Sequence, residues 1–256
     1  MKRRNFLKNS SLAAASVAFM PSSQLFAKSA SGNAVKIGII GGSGLDNPEL
    51  FMNPKDFAAR TQWGDPSSLL KLGKIAGIDV VLLGRHGRGH TIPPTQVNYR
   101  ANIQAFKDVG CTHILATTAV GSLREEIRRG DLVILDQFID FTKQRKMTFH
   151  ESFNSHQPVH TPMADPFDSK LREVLIQVCS HQGLNFHKSG TVVTIEGPRF
   201  STRAESKMFR LFGADIINMS VSTEVALANE IGIPYAMEEA KKAYPEQSAH
   251  PDYKKK

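Results

Sequence analysis

Three loops of small or cationic residues each follow an apolar, β-branched segment, and each loop is suited to binding an anion. The segments and their loops are 35–40 with 41–44, 78–83 with 84–90, and 113–116 with 117–122. In an open α/β sheet, ligands bind where strands end and loops begin. Three such ends would surround one phosphate-sized anion with backbone N–H groups, hydroxyls and the guanidinium of Arg85. The pattern therefore predicts an oxyanion site.

Arg85 and His86 lie together in the second loop, and both suit a phosphate. A guanidinium can bind phosphate bidentately and an imidazole can donate to a further oxygen, although a solvated basic loop is the alternative. The four-residue spacing of His86 and His90 would suit a metal on a helix. Gly87 and Gly89 disfavour a helix there, so the loop predicts anion binding without a metal.

A further strand-to-loop transition lies in the segment 191–206, where Gly197-Pro198 ends an apolar run. Phe200 follows, and an aromatic ring in such a loop can either stack on a planar base or belong to the core. Thr202 and Glu205 have the spacing of a capping box, which predicts that a helix begins here.

Strands alternate with helices along the chain, which predicts an α/β fold of three layers. A twisted, mostly parallel or mixed central sheet would carry helices on both faces, and 256 residues suffice for one domain around one core. The predicted helices are 97–109, 169–182, 202–212 and one starting at 224; the predicted strands are 35–40, the hairpin 69–75 and 78–83, 113–116, 132–138, 190–195 and 216–219. Residues 144–162 are predicted to form a long loop with a functional or interface role.

The charge of the chain argues against nucleic acid as a partner. The formal net charge is +8, but four cations lie in the first 27 residues and three lysines end the chain, so the body between them is close to neutral. It has no basic stripe with interleaved aromatic residues, which nucleic-acid binding would need.

The first 27 residues have the pattern of a twin-arginine signal peptide. Residues 3–8 read Arg-Arg-Asn-Phe-Leu-Lys, residues 12–20 are apolar, and residues 25–27 resemble a small-residue cleavage site. The apolar stretch is too short for a membrane span, so no stable membrane anchor is expected. A disordered basic N-terminus is the alternative. We expect export to the periplasm, with residues 28–34 as a linker.

Seven motifs, in order along the chain, carry a resemblance to a known family. They are 38–45 (GIIGGSGL), 85–92 (RHGRGHTI), 98–102 (NYRAN), 117–123 (TTAVGSL), 136–140 (DQFID), 194–200 (TIEGPRF) and 217–220 (INMS). On these motifs, residues 35–236 resemble the purine nucleoside phosphorylase family and, within it, the methylthioadenosine phosphorylases.

The resemblance implies that inorganic phosphate cleaves the N-glycosidic bond of a purine nucleoside, giving a purine and a ribose 1-phosphate without a cofactor. The residues that match the family's phosphate contacts are Ser43, Arg85, His86, Thr118, Ala119 and Ser220. Phe200 and Ser201 match its purine wall, and Met219 matches the residue packed on the ribose. His160 matches a residue that similar enzymes lend to the 5′-substituent pocket of the neighbouring subunit, which implies a homotrimer.

The chain departs from the family pattern after residues 233–236. Similar enzymes continue into a Thr-Asp-x-Asp segment, whose carboxylates bind adenine and stabilise the leaving group, whereas residues 237–245 here read Met-Glu-Glu-Ala-Lys-Lys-Ala-Tyr-Pro. Glu238 or Glu239 could substitute, but the charge pattern favours an exposed charged helix, and no counterpart of the family's final helix follows. Residues 237–256 are therefore expected to form an atypical charged tail, and no catalytic acid is assigned.

Three functions remain open from the sequence. The first is phosphorolysis of S-methyl-5′-thioadenosine, which the segment 194–219 favours. The second is phosphorolysis of a 6-oxopurine nucleoside such as inosine, guanosine or methylthioinosine, because the residues that distinguish adenine from a 6-oxo base belong to the departing segment. The third is a catalytically impaired nucleoside- or phosphate-binding remnant, which the missing acid favours.

Overall fold

A computed structural model describes residues 34–42 and 52–241 of the chain. The strands are β1 (Lys36–Gly41), β2 (Met52–Phe57), β3 (Leu70–Ile75), β4 (Ile78–Gly84), β5 (His113–Ser122), β6 (Leu132–Ile134), β7 (Gln137–Phe141), β8 (Phe186–His187), β9 (Thr191–Ile195), β10 (Ile216–Asn218) and β11 (Tyr235–Lys241). The helices are α1 (Tyr99–Asp108), α2 (Ser169–His181), α3 (Arg203–Leu211) and α4 (Val221–Glu230), with a short 3₁₀ turn at Pro94–Gln96. The predicted signal peptide, Ser43 and residues 242–256 lie outside the described residues.

One mixed sheet joins the strands, with β1, β4 and β5 at its centre. Its order is β2-β3-β4-β1-β5-β10-β9-β7, and β11 pairs with both β5 and β6. β1 is parallel to β4 and to β5. Gly41 lies opposite Gly84, and Ile40 lies opposite Ala116. The ends of β1 and β4 therefore meet the middle of β5, which is the juxtaposition that the predicted oxyanion site requires.

Helices cover both faces of the sheet, as predicted for a three-layer α/β fold. Ile103 and Phe106 of α1 and Val225 of α4 join one buried cluster, whereas Leu171 and Leu175 of α2 join the cluster on the opposite face. The side chains of a strand alternate between these clusters because successive residues point to opposite faces. No helix in the described ranges is long and apolar enough to cross a membrane.

Most of the predicted elements are confirmed, and the differences lie where strands continue beyond their apolar runs. The hairpin, the helix near 97–109 and the capping box of α3 are all present. Residues 117–122, predicted as a loop, instead extend β5. Their pairing with β11 and β10 explains the difference, because Gly121 and Ser122 lie opposite β10. The predicted strand 132–138 is divided into β6 and β7.

The expectation of an exposed charged helix after residue 236 is wrong for residues 237–241. These residues complete β11, which is parallel to β5 and antiparallel to β6. Met237 is 0% exposed and Glu238 is 2% exposed. Pairing on both sides outweighs the helix preference of Glu, Ala and Lys, because tertiary contacts readily override weak intrinsic propensity.

Candidate active site

A cavity of about 260 Å³ lies beside the ends of β5, β9 and β10. Its walls are formed by His86, His90, Pro94, Thr118, Ala119, Gly121, Ser122, Leu123, Ile195, Phe200, Ser201, Ser206, Ile217, Asn218, Met219 and Ser220. Seven of these are residues that the sequence assigned to phosphate or nucleoside binding: His86, Thr118, Ala119, Phe200, Ser201, Met219 and Ser220. Because they come from separate segments and meet at one cavity, this cavity is the candidate active site.

A larger groove of about 610 Å³ lies near the start of β11 and is a weaker candidate. Several of its polar side chains already bond within the chain. Asp168 accepts from the backbone N–H of Leu171 at 2.8 Å, and the Nε of Arg172 donates to the carbonyl of Leu135 at 2.7 Å. None of the predicted site residues lines this groove.

Arg85 lies immediately behind the cavity and is completely buried. Its Nε and Nη2 donate to the two carboxylate oxygens of Glu224, with Nη2 at 3.0 Å, and Nη1 donates to the carbonyl of Thr117 at 3.1 Å. Burial opposes the charge, but the Glu224 carboxylate outweighs it and raises the pKa of Arg85. A guanidinium has five donors, so these three bonds leave one N–H of each terminal nitrogen unused, but Arg85 itself does not line the cavity.

The pairing with Glu224 changes the role predicted for Arg85. The Nε–Nη2 edge of the guanidinium, which was expected to bind phosphate bidentately, binds the Glu224 carboxylate instead. The carboxylate neutralises most of the positive charge of Arg85. Tyr235 donates from its hydroxyl to Glu224 at 2.8 Å and fixes the carboxylate from the other side. No role was assigned to Glu224 from the sequence. The pattern that could have indicated one is an acidic residue in the first turn of the helix that follows Ser220.

His86 supplies an imidazole whose protonation the structure defines. Its Nδ1 lies 2.9 Å from the carbonyl of Ile92, and because a carbonyl only accepts, Nδ1 carries the proton. Burial, and then the charge of Arg85, lower the pKa of His86 to about 4. The ring is therefore neutral near pH 7, and Nε2 is an acceptor rather than a donor. The predicted donation to phosphate requires a protonated ring.

His90 lines the cavity beside His86, with the two ring centroids 4.4 Å apart. Its backbone has a φ of +59°, a left-handed conformation that few residues other than glycine adopt. In the described part of the chain, no group of three or more His, Cys, Asp or Glu side chains is arranged to hold a metal ion.

The nucleoside side of the cavity is formed by Phe200, Ser201 and Met219. Phe200 is 51% exposed, so it is a wall residue and the core alternative is wrong. Ser201 shares a hydrogen bond of 2.8 Å with the hydroxyl of Ser206. Met219 packs against Gly197, where an added Cβ would lie 2.5 Å from the methionine sulfur. Gly197, with a φ of +69°, thus admits the Met219 side chain to this wall.

The described lining of the cavity contains no acidic side chain. Glu238 does not fill that role, because it lies on the opposite face of β11 from Tyr235 and Met237, towards Cys179 of α2. Burial raises the pKa of Glu238 to about 8, and neither of its carboxylate oxygens has a hydrogen-bond partner within the described residues.

His160 does not join the other predicted residues. It is exposed in the long loop, with its ring 5.8 Å from that of Phe153, and it does not line the cavity. The contribution of His160 to the active site of a neighbouring subunit stays a prediction.

Comparisons with known proteins agree on one family. A family model described as the phosphorylase superfamily matches residues 36–237. The S-methyl-5′-thioadenosine phosphorylase of Xenopus tropicalis is 58% identical over 206 residues, covering 79% of this chain and 73% of the relative. The enzyme of that name from Danio rerio is 57% identical over 208 residues, covering 80% of this chain and 74% of the relative.

Solved structures give the same result. The methylthioadenosine phosphorylase of Schistosoma mansoni without ligand superposes with a TM-score of 0.78 at 44% identity, over 82% of this chain and 81% of that chain. The complex of the S. mansoni enzyme with tubercidin superposes with a TM-score of 0.77 at 44% identity, over 81% of this chain and 80% of that chain.

Proposed function

Because this chain belongs to the phosphorylase superfamily, we propose that it catalyses phosphorolysis of S-methyl-5′-thioadenosine to adenine and 5-methylthioribose 1-phosphate. The observation that carries the proposal is the single cavity that joins an anion-binding end to a half-exposed aromatic wall. The relatives named for this nucleoside support the choice of substrate.

The anion end of the cavity suits inorganic phosphate. Thr118 offers a hydroxyl, and Ser220 is the N-cap residue of α4 with a side chain that makes no capping hydrogen bond. The first N–H groups of a helix bind anions well; in α4 the N–H of Ser222 already donates to the hydroxyl of Thr194 at 3.2 Å.

The buried cation Arg85 precedes the lining residue His86 and adds positive charge next to this end of the cavity. Ser43, which matches a further phosphate contact of the family, lies outside the described residues.

The chemistry that this arrangement supports is substitution at the ribose carbon. Cleavage of an N-glycosidic bond develops positive charge on the sugar, as in glycoside hydrolysis. A phosphate held beneath the ring stabilises that charge and then captures the carbon. Inorganic phosphate is a co-substrate of the proposed reaction, which needs no cofactor.

The absence of an acidic side chain from the described cavity wall sets the expected rate. A positioned general acid contributes about 10²–10⁴-fold to a rate, whereas the hydroxyl groups of Ser201 and Ser206, and no carboxyl group, accompany Phe200 in the described cavity wall. We therefore expect phosphate-dependent turnover that is slower by up to this factor than in an enzyme with the Thr-Asp-x-Asp segment.

The test is purine release by the purified chain, with methylthioadenosine and inosine supplied separately, each with and without phosphate. Adenine release that requires phosphate supports the proposal. Phosphate-dependent purine release from inosine but not from methylthioadenosine favours the 6-oxopurine alternative. A folded chain that binds nucleoside but releases no purine would be the impaired remnant. Thr118→Val should raise the phosphate KM about three- to tenfold, whereas Ser155→Ala in the exposed loop should not.

We propose further that residues 1–27 direct export by the twin-arginine route and that the mature enzyme is periplasmic. The paired arginines and the apolar stretch that follows them support this. Fusion of residues 1–35 to a reporter tests it, with Arg3→Lys and Arg4→Lys together as the control. A reporter that remains in the cytoplasm contradicts the proposal.

We also propose a homotrimer in which His160 reaches the neighbouring active site. His160 is exposed and does not line the cavity of its own chain, which supports this arrangement. Light scattering should give three times the chain mass, and His160→Ala should raise the nucleoside KM. A monomer with an unchanged KM contradicts both parts.

A further inference from the structure

Arg145 is a buried cation in the long loop, and its side chain is only 1% exposed. Its guanidinium reaches four groups outside the loop, one of which is the carbonyl of Ile195, to which Nη2 donates at 3.3 Å. Nη1 donates to the hydroxyl of Tyr99 at 3.1 Å, Nε donates to the Glu196 carboxylate at 3.2 Å, and Nη2 donates to the Glu196 carbonyl at 2.9 Å. The guanidinium also lies 5.2 Å from the centre of the Tyr99 ring. One side chain thus joins the loop to α1 and to the end of β9.

The hydrogen bond from Arg145 fixes the direction of the Tyr99 hydroxyl. Because a guanidinium only donates, the phenol oxygen accepts from Arg145 and its proton points elsewhere. The available acceptors are the carbonyls of Pro94 at 3.0 Å and Met219 at 3.4 Å. Both residues line the cavity.

Glu196 neutralises Arg145 and ties the same loop to the cavity wall. Its carboxylate accepts the backbone N–H groups of Lys143 and Gln144 and the hydroxyl of Thr95 at 3.1 Å. Burial alone would raise the pKa of Glu196, but the two N–H donors and Arg145 hold it below its usual value. The carboxylate therefore stays charged at neutral pH. Its neighbour Ile195 also lines the cavity.

We infer that Arg145 is a positioning residue for the nucleoside: through Tyr99 and the Ile195–Glu196 main chain it holds Pro94, Ile195 and Met219 in place. It does not line the cavity itself. The groups that it supports belong to the wall shared with Phe200, whereas Thr118 and Ser220 line the end proposed for the anion. Loss of this network should weaken nucleoside binding and leave phosphate binding intact. The inference rests on the proposed function.

The test separates a positioning role from a structural one. Tyr99→Phe keeps the ring but removes the hydroxyl, and Arg145→Lys keeps the charge beside Glu196 but loses the fork. Each should raise the KM for methylthioadenosine about three- to tenfold and change the phosphate KM by less than about twofold. The effects of the two substitutions should be less than additive in the double variant, because both break the link between Arg145 and Tyr99. Arg172→Lys is the control, since Arg172 also bonds main-chain carbonyls but lies away from the cavity.

The inference fails if both KM values change equally, if the two substitutions are additive, or if neither changes the nucleoside KM in a variant with an unchanged melting curve. If the native chain releases no purine, the proposed function is refuted, but the positioning role of Arg145 can still be tested. Calorimetric binding of methylthioadenosine then tests the positioning role: weaker binding by Tyr99→Phe supports it, and equal or absent binding overturns it.

Discussion

Replacing Glu238 by methionine should stabilise the protein at neutral pH and remove part of its pH dependence. Glu238 is buried on β11, and its carboxylate oxygens have no hydrogen-bond partner within the described residues. Burial raises its pKa from 4.5 to about 8. The folded chain therefore keeps a proton on this carboxyl over a pH range in which the unfolded chain has lost it.

The free energy of unfolding falls as the pH rises through that range. Between pH 4.5 and about 8 the folded state binds one more proton than the unfolded state at Glu238, so stability is complete below pH 4.5 and is lost towards pH 8. At about 1.4 kcal/mol per pH unit, the loss is roughly 3 kcal/mol by pH 7. In a chain of this size, such a loss lowers Tm by about 6–12 °C.

The assay is thermal unfolding of the native chain, Glu238→Met and Glu173→Met between pH 5 and pH 8. Methionine has a similar volume and needs no hydrogen-bond partner, so the Tm advantage of Glu238→Met should grow as the pH rises. Glu173 is exposed on α2, so its substitution should give a pH-independent difference. Parallel pH profiles for all three proteins, or a Glu238→Met variant that melts below the native chain at pH 8, would refute the reasoning.

Three further predictions concern the site. Phe200→Ala should raise the nucleoside KM about 5- to 100-fold through loss of base stacking, with the phosphate KM unchanged in steady-state assays. Burial and Arg85 lower the pKa of His86 to about 4, so below pH 6.5 the unfolded chain binds a proton that the folded chain does not, and Tm should fall. His86→Asn should make this fall in Tm smaller; an unchanged melting profile would contradict this. Glu224→Gln should cost about 3 kcal/mol in urea unfolding by leaving Arg85 unpaired in the interior, and a loss below about 1 kcal/mol would contradict the burial argument.

The parts of the fold that sequence predicts well depend on neighbours along the chain. The hairpin turns at Ala76-Gly77, where both residues adopt positive φ values of +48° and +84°. The capping box joins Thr202 to Glu205, three residues away. The transition from β4 to the turn that follows Gly84 is predictable for the same reason, because an apolar run and the small residues after it are adjacent in sequence.

The missed features depend on partners that are distant in sequence. Arg85 and Glu224 are separated by 139 residues, so no local pattern shows that the predicted phosphate ligand is already paired. Arg145 lies 46 residues from Tyr99 and 51 from Glu196. The sequence indicates an exposed position for Glu238 because Glu239 and two lysines follow it, and only pairing with β5 and β6 gives it an interior position.

β11 connects the stability of the sheet to the anion end of the cavity. On one face of the strand Tyr235 holds Glu224, which holds Arg85; on the other face Glu238 lies buried towards α2. A charge forming on Glu238 favours separation of β11 from its neighbours, and that separation would release Tyr235. The loss of stability caused by the unpaired Glu238 carboxyl therefore weakens β11, the strand that holds Glu224 and Arg85 in place. Glu238→Met should accordingly leave the phosphate KM unchanged at pH 6 and lower it at pH 8, where the native strand is weakest.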